Sequence, residues 1–292
     1  MRVAHLILTH KNPPQLERLL AMLAHPSFDF YIHIDKKTDI TPFLPLAEKK
    51  NVFLVRQRVS IHWAGYGTIQ ATLNSFEEIL AKGGYDYINV MSGQDFPLKS
   101  ADYIHEYIAQ RKGTEFISCE SIEDEWKSAA GRIKQYHLIN WRLPGKFRLE
   151  KWINRILPTR KYPLDHIVVG RANWFTITHG AAQYIIDFLK KNPKVVGYFK
   201  YCWGADEFIF STVVYNSPYR EKIRPNLMYV DWTGQADGHP RVLNISDFDR
   251  LTTTRDKLLA RKFDLNTDSA IVDQLEKWIK EQYPISSSSP ST

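Results

Sequence analysis

The feature that most constrains this chain is an alternation within its first hundred residues. Short apolar runs at residues 3–9, 30–34, 52–55 and 85–91 alternate with stretches of helical spacing at 14–24 and 68–81, the first of these built on Leu16, Leu19, Leu20 and Leu23. Apolar runs of strand length between amphipathic helices predict βαβ units and a mainly parallel sheet. Such sheets bind ligands beyond the carboxyl ends of their strands. Two polar clusters are expected there, Asp35-Lys36-Lys37 and Ser92-Gly93-Gln94-Asp95.

Past residue 118 the periodicity weakens. Residues 119–170 are rich in Trp, Arg, Lys and Pro, and are expected as long loops and short helices over the sheet. Loops of that length in a compact domain are usually functional or disordered. Residues 174–178 read as a strand, and 181–190 and 207–215 as helices. The Ser/Pro-rich end is expected to be a disordered tail from 281, leaving one α/β domain over 1–280.

Composition narrows the function. A formal charge of +7 suits an anionic partner such as a nucleotide, a nucleic acid or an acidic membrane surface, although the Lys and Arg residues are spread along the chain. No RNA-recognition signature or basic recognition helix is present, so nucleic acid is not expected as a partner. Aromatics at 13% fit both a packed core and a site that stacks on sugar rings. The two cysteines, Cys119 and Cys202, have no metal-ligand or CxxC spacing, so no disulfide framework or zinc site is expected. Residues 2–9 read as a strand, not a leader peptide, and no apolar stretch reaches the about 18 residues of a membrane span. A soluble, cytoplasmic protein without a transmembrane segment is the expectation, one at most peripheral to the inner membrane face. Neither a Gly-x-Gly-x-x-Gly fingerprint, a Walker A loop nor a Gly-x-Ser-x-Gly elbow occurs.

One ordered set of segments is more specific than any of these. It comprises His33-Ile34-Asp35-Lys36-Lys37, Trp63-Ala64-Gly65, Ser92-Gly93-Gln94-Asp95-Phe96-Pro97-Leu98-Lys99, Trp174-Phe175, Ala205-Asp206-Glu207-Phe208, Asn216-Ser217 and Ala260-Arg261-Lys262-Phe263-Asp264. In this order the segments resemble the core-2/I-branching β-1,6-N-acetylglucosaminyltransferases of glycosyltransferase family 14, whose relatives include the peptide O-xylosyltransferases. The resemblance runs from about residue 3 to residue 265. It implies a GT-A fold, with residues 1–118 as the nucleotide-sugar half and 119–280 as the acceptor and catalytic half. It also implies an inverting transfer from a UDP-sugar, carrying N-acetylglucosamine or xylose, to a hydroxyl of a glycan acceptor. Without a membrane anchor or disulfide pattern the chain reads as a bacterial version, acting on a capsule, lipopolysaccharide or exopolysaccharide.

The resemblance implies roles for particular residues. Glu207, of the Asp-Glu pair, is the expected general base. Its aromatic, apolar surroundings should raise its proton affinity. On residue type alone the pair Asp206-Glu207 also fits the start of a helix, where carboxylates complement the dipole. The family usually has Pro where this chain has Ala205. Gln94-Asp95-Phe96 stands where many glycosyltransferases carry Asp-x-Asp, and one carboxylate is a poor divalent-cation site. No metal or other cofactor is therefore expected, with Lys262 and Arg241 neutralising the diphosphate instead. Asp247-Phe248-Asp249 spells Asp-x-Asp but is expected as a cap or loop motif. Asp35 is implied near the uracil or ribose, with turn chemistry as its alternative, and His10 in the same pocket. Asp95 is expected to support the sugar or the glycine turn. Trp232, Glu120, Arg132 and Asp206 are implied on the acceptor side, and Trp63 is expected to pack. The competing reading is a non-catalytic nucleotide-sugar or carbohydrate binder on the same fold, which a donor-hydrolysis assay separates.

Overall fold

A computed structural model describes residues 1–141, 143–234 and 238–283. The first half runs β1 (Val3–Thr9), α1 (Pro13–Met22), β2 (Phe28–Ile34), β3 (Val52–Leu54), α2 (Gly67–Lys82) and β4 (Tyr87–Ser92). It continues through β5 (Asp95–Pro97), α3 (Ala101–Ala109), β6 (Glu115–Phe116) and β7 (Cys119–Ser121). Next come α4 (Ala130–Lys134), α5 (Lys146–Ile156), β8 (Val169–Arg171), β9 (Phe175–Thr178), α6 (His179–Lys191), α7 (Pro193–Phe199) and α8 (Ile209–Tyr215). The chain then forms β10 (Ile223–Arg224), β11 (Met228–Val230), α9 (Phe248–Thr253), β12 (Leu259–Arg261) and α10 (Ala270–Gln282).

Local chemistry explains the elements that position the site. α1 starts where the Asn12 side chain accepts from Gln15 N at 3.2 Å, with prolines in its first turn, whose missing N–H groups would be unpaired in any case. β1 is buried along its whole length and therefore sits mid-sheet. Its side chains alternate between two cores: Ala4, Leu6 and Leu8 join Phe76, Phe175 and Phe210, whereas Val3 and Ile7 join Phe28, Phe96 and Phe263. The seven-stranded sheet has the order β10-β6-β9-β4-β1-β2-β3. β1 pairs in parallel with β2 and β4, and β2 with β3. β9 runs antiparallel to both β4 and β6.

A small sheet, β11-β12-β5, lies beside the main one. Its antiparallel β12–β5 register sets Arg261 opposite Asp95. β7 and β8 form a separate antiparallel pair with Glu120 opposite Gly170.

Two expectations change. The helix expected over 207–215 begins at Ile209, and Ala205–Glu207 is a single 3-10 turn, because Phe208 departs from helical geometry (φ −120°, ψ −45°) between the two. α10 was not foreseen and reaches Gln282, so helix occupies the first residues of the expected tail. The rest of that tail, 284–292, lies outside the described residues. Residues 119–170 do hold loops and short elements, of which α5 is the longest. Among the described residues, no helix is long and apolar enough to cross a membrane.

Candidate active site

A cavity of about 720 Å³ opens at the carboxyl ends of β1, β2 and β4, reached by Thr9, Asp35 and Ser92 respectively. That is the size of a small-molecule cleft, in the place a parallel sheet provides one. β9 begins at the same rim, after Asn173 and Trp174, and so must run away from it; this is why it opposes β4.

Glu207 lines this cavity from the 3-10 turn. Gly204 precedes the turn in the left-handed region (φ 61°), and a side chain there would collide with the Arg132 guanidinium. The turn is tied down by Gly204 N donating to Ala64 O at 2.8 Å and Trp203 N to Arg132 O at 2.9 Å. Gly170 of β8 lies so close that an added Cβ would sit 2.5 Å from the Glu207 carbonyl oxygen. The Glu207 carboxylate accepts from Arg132 Nη2 at 2.8 Å, and its side chain is 23% exposed. Burial pushes its pKa up to about 7, with Arg132 pulling down and Asp206 pushing up. The Arg132 guanidinium carbon lies 4.5 Å over Trp203, 5.0 Å over Phe208 and 5.1 Å over Trp126. Arg132 thus reaches the carboxylate from an aromatic cage and does not line the cavity itself. Asp206 also faces the cavity, and its carboxylate accepts from Asn173 Nδ2 at 2.6 Å. Burial raises its pKa as well, against that hydrogen bond.

Arg132 holds a charge beside Glu207, so its removal has a signed consequence. Arg132→Met is expected to move the Glu207 ionisation to higher pH, because the cation that favours the carboxylate is gone. Following the Glu207 carboxyl by NMR against pH checks this: its midpoint should shift alkaline in Arg132→Met and return toward wild type in Arg132→Lys.

Asp95 lies beneath the cavity, fully buried. Its Oδ2 accepts from Ser92 N at 2.7 Å, supporting the glycine turn as expected, and its Oδ1 lies 3.6 Å from Arg261 Nη1. Burial pushes its pKa up to about 6 despite Arg261. Arg261 stacks 4.4 Å over Trp174 and lines the cavity. No site role is read for it from the sequence, although it stands in the Ala260-Arg261-Lys262-Phe263-Asp264 segment and ends the short strand β12.

The remaining residues divide by position. His10, Asp35 and Lys262 line the cavity. Burial and Lys11 lower the His10 pKa. Asp35 accepts from Lys37 N at 2.9 Å and Ile61 N at 3.3 Å, so it performs the turn chemistry named as its alternative while facing the cleft. Glu120 lines the cavity 3.4 Å from Arg171 Nε. Trp232 and Trp63 are both about half exposed at its mouth. Trp63 packs as expected, edge-on to Trp203 at 4.9 Å and against His239 at 4.6 Å, but it also forms part of the cavity wall. Arg241 is not brought to the cavity wall. Its guanidinium pairs with Asp231 at 2.6 Å and with Asp247, and Arg250 joins the same two carboxylates. Asp247 completes a capping box with Asn244, the cap role expected of it, while Asp249 is exposed.

The profile of the Core-2/I-Branching enzyme family matches residues 3–254. This chain belongs to the Core-2/I-branching enzyme family. The matched span includes Glu207 and ends before the 260–264 segment. Among curated relatives of this Core-2/I-branching protein, Xylosyltransferase oxt of Drosophila pseudoobscura pseudoobscura is 26% identical, over 92% of this chain and 32% of its own length. Xylosyltransferase 2 of Homo sapiens is 24% identical, over 97% of this chain and 34% of its own. The chain thus spans about a third of the length of these relatives. The galactosyltransferase LgtC, solved with donor and acceptor sugar analogs, matches with a TM-score of 0.50 at 8% identity, covering 96% of each chain. At that identity the likeness concerns the fold alone, which is of the GT-A type: a central, mostly parallel sheet flanked by helices.

Proposed function

We propose that this protein is an inverting glycosyltransferase that moves a sugar from a UDP-sugar to a hydroxyl of a glycan acceptor. The observation that carries the reading is the Glu207 carboxylate, held by Arg132 at the wall of a ligand-sized cavity with its pKa pushed up to about 7. In the proposed step the acceptor oxygen attacks the anomeric carbon as the bond from that carbon to the diphosphate breaks. The hydroxyl proton passes to Glu207, and UDP departs with the bonding electron pair. A base is most effective when its pKa lies near the working pH, because it is then both ionised and basic.

The departing diphosphate needs positive charge. Lys262, which lines the cavity, is assigned that task. Arg241 is already engaged by Asp231 and Asp247, so its share is indirect. Asp95 is a poor metal ligand here, since one oxygen accepts a hydrogen bond from the Ser92 amide and the other faces Arg261. The reaction is therefore proposed to run without a metal. Relatives named xylosyltransferases make UDP-xylose the first donor to test beside UDP-N-acetylglucosamine.

The pH dependence follows from the sign of the shift. Glu207 must be ionised to accept a proton, so kcat/KM should be level above its pKa of about 7 and fall about tenfold per pH unit below it. Initial rates from pH-stable buffers check this. A limb near the ordinary carboxylate value instead would mean that Glu207 is solvated during turnover and would count against it as the base.

A further inference from the structure

α5 reverses the usual arrangement of a surface helix, and the reversal points to a lipid partner. An amphipathic helix normally buries its apolar stripe and shows its polar one. α5 is fastened by polar groups: Glu150 Oε2 accepts from Leu138 N at 2.8 Å, and Asn154 Oδ1 accepts from Tyr136 N at 2.7 Å. Those residues lie four apart, on one face. No residue of the helix is buried. Leu149, Trp152 and Ile156, spaced i, i+3, i+7, form an exposed stripe on the side away from that attachment, with Trp152 61% and Ile156 57% exposed and Ile153 half-buried at its edge. Trp141, Leu143 and Leu157, which flank the helix, are exposed as well.

Beside this stripe run Arg148, Lys151 and Arg155, all exposed. Residues 141–161 contain seven Lys or Arg, of which Arg160 is buried, and one acidic residue, Glu150, which is turned inward, whereas the whole chain has a net charge of only +7. An exposed apolar stripe with Trp, bordered by fixed cations, is the pattern of a helix lying in a bilayer interface. A second copy of this chain would set the same positive surfaces against each other, which disfavours self-association here. Nucleic acid would satisfy the charge and leave the apolar stripe in water. We propose that α5 and its flanks dock the protein on the surface of a bilayer containing anionic phospholipid, with Trp152 and Ile156 entering the acyl boundary and Arg148, Lys151 and Arg155 meeting the phosphates.

The test is co-sedimentation of the full chain with vesicles of phosphatidylcholine alone and of phosphatidylcholine mixed with phosphatidylglycerol. Wild type should bind the mixed vesicles and release as salt is raised. Trp152→Ser combined with Ile156→Ser should weaken partitioning at least ~10-fold, from the lost burial of two large side chains. Arg148→Gln, Lys151→Gln and Arg155→Gln together should weaken it roughly 10²-fold. Both variants change exposed side chains and should melt like wild type, and Glu207→Gln should bind like wild type. Failure to bind the mixed vesicles, or binding indifferent to the changes at 152 and 156, overturns the proposal. A dimer in light scattering that the Trp152/Ile156 variant disperses would assign the surface to a second copy instead. The readout is partitioning, so it stands or falls separately from the catalytic reading.

Discussion

Glu207→Gln is expected to lower the turnover of sugar transfer by at least ~10²-fold while donor affinity stays close to wild type, because a positioned base typically contributes ~10²–10⁴. The substitution keeps the shape of the side chain and an oxygen that can still accept from Arg132 Nη2, now 2.8 Å from the carboxylate. It removes only the ability to take a proton. The turn itself is held by backbone bonds from Gly204 to Ala64 and from Trp203 to Arg132, so it should survive the change. Transfer rates with saturating UDP-sugar, together with calorimetric titration of the donor, make the comparison. A parallel loss of donor affinity would show that Glu207 supports the pocket and does not act on the acceptor. A neutral Gln also ends the repulsion with Asp206, so a modest gain in thermal stability is compatible with the catalytic role.

Lys262→Ala is expected to lower kcat by ~10²–10³-fold, the usual cost of deleting one preorganised group that stabilises developing negative charge. Lys262 follows β12, whose pairing with β5 fixes it at the cavity wall. Lys262→Arg should recover part of the loss, since it restores charge with a different donor geometry. In the same assay EDTA should leave wild-type transfer unchanged, because the cationic side chain is proposed to do what a bound divalent ion does elsewhere. Loss of activity in EDTA, with recovery on adding Mn²⁺, would defeat that assignment even if Lys262→Ala were inactive.

Much of the fold was legible because its cues are local. The strands around 3–9, 30–34 and 85–91 and the helices around 14–24 and 68–81 all appear, with no end displaced by more than two residues. The small elements were harder. β5, β11 and β12 are three residues each, too short for a period, and exist because they pair with one another. α5 has no boundaries of its own within a stretch read as long loops and short helices, since its apolar stripe belongs to no core. The site divides in the same way. Glu207, Asp206, Asp35, Lys262, Glu120 and Trp232 converge on one cavity. Arg132 reaches it only through Glu207, Asp95 lies below it, and Arg241 is drawn into a charge cluster that the sequence scatters over residues 231–250.

The order of residues alone determined the parallel sheet, the position of its ligand-binding edge and the acidic pair at 206–207, since periodicity and residue type act over a few neighbours. Tertiary structure decided how tightly that acid holds its proton. Arg132 lies 75 residues away in the chain, and the surrounding aromatic wall comes from several elements. Desolvation and Coulomb energy depend on distance in space, so a carboxyl with a pKa of about 7 arises only after the chain has folded around it.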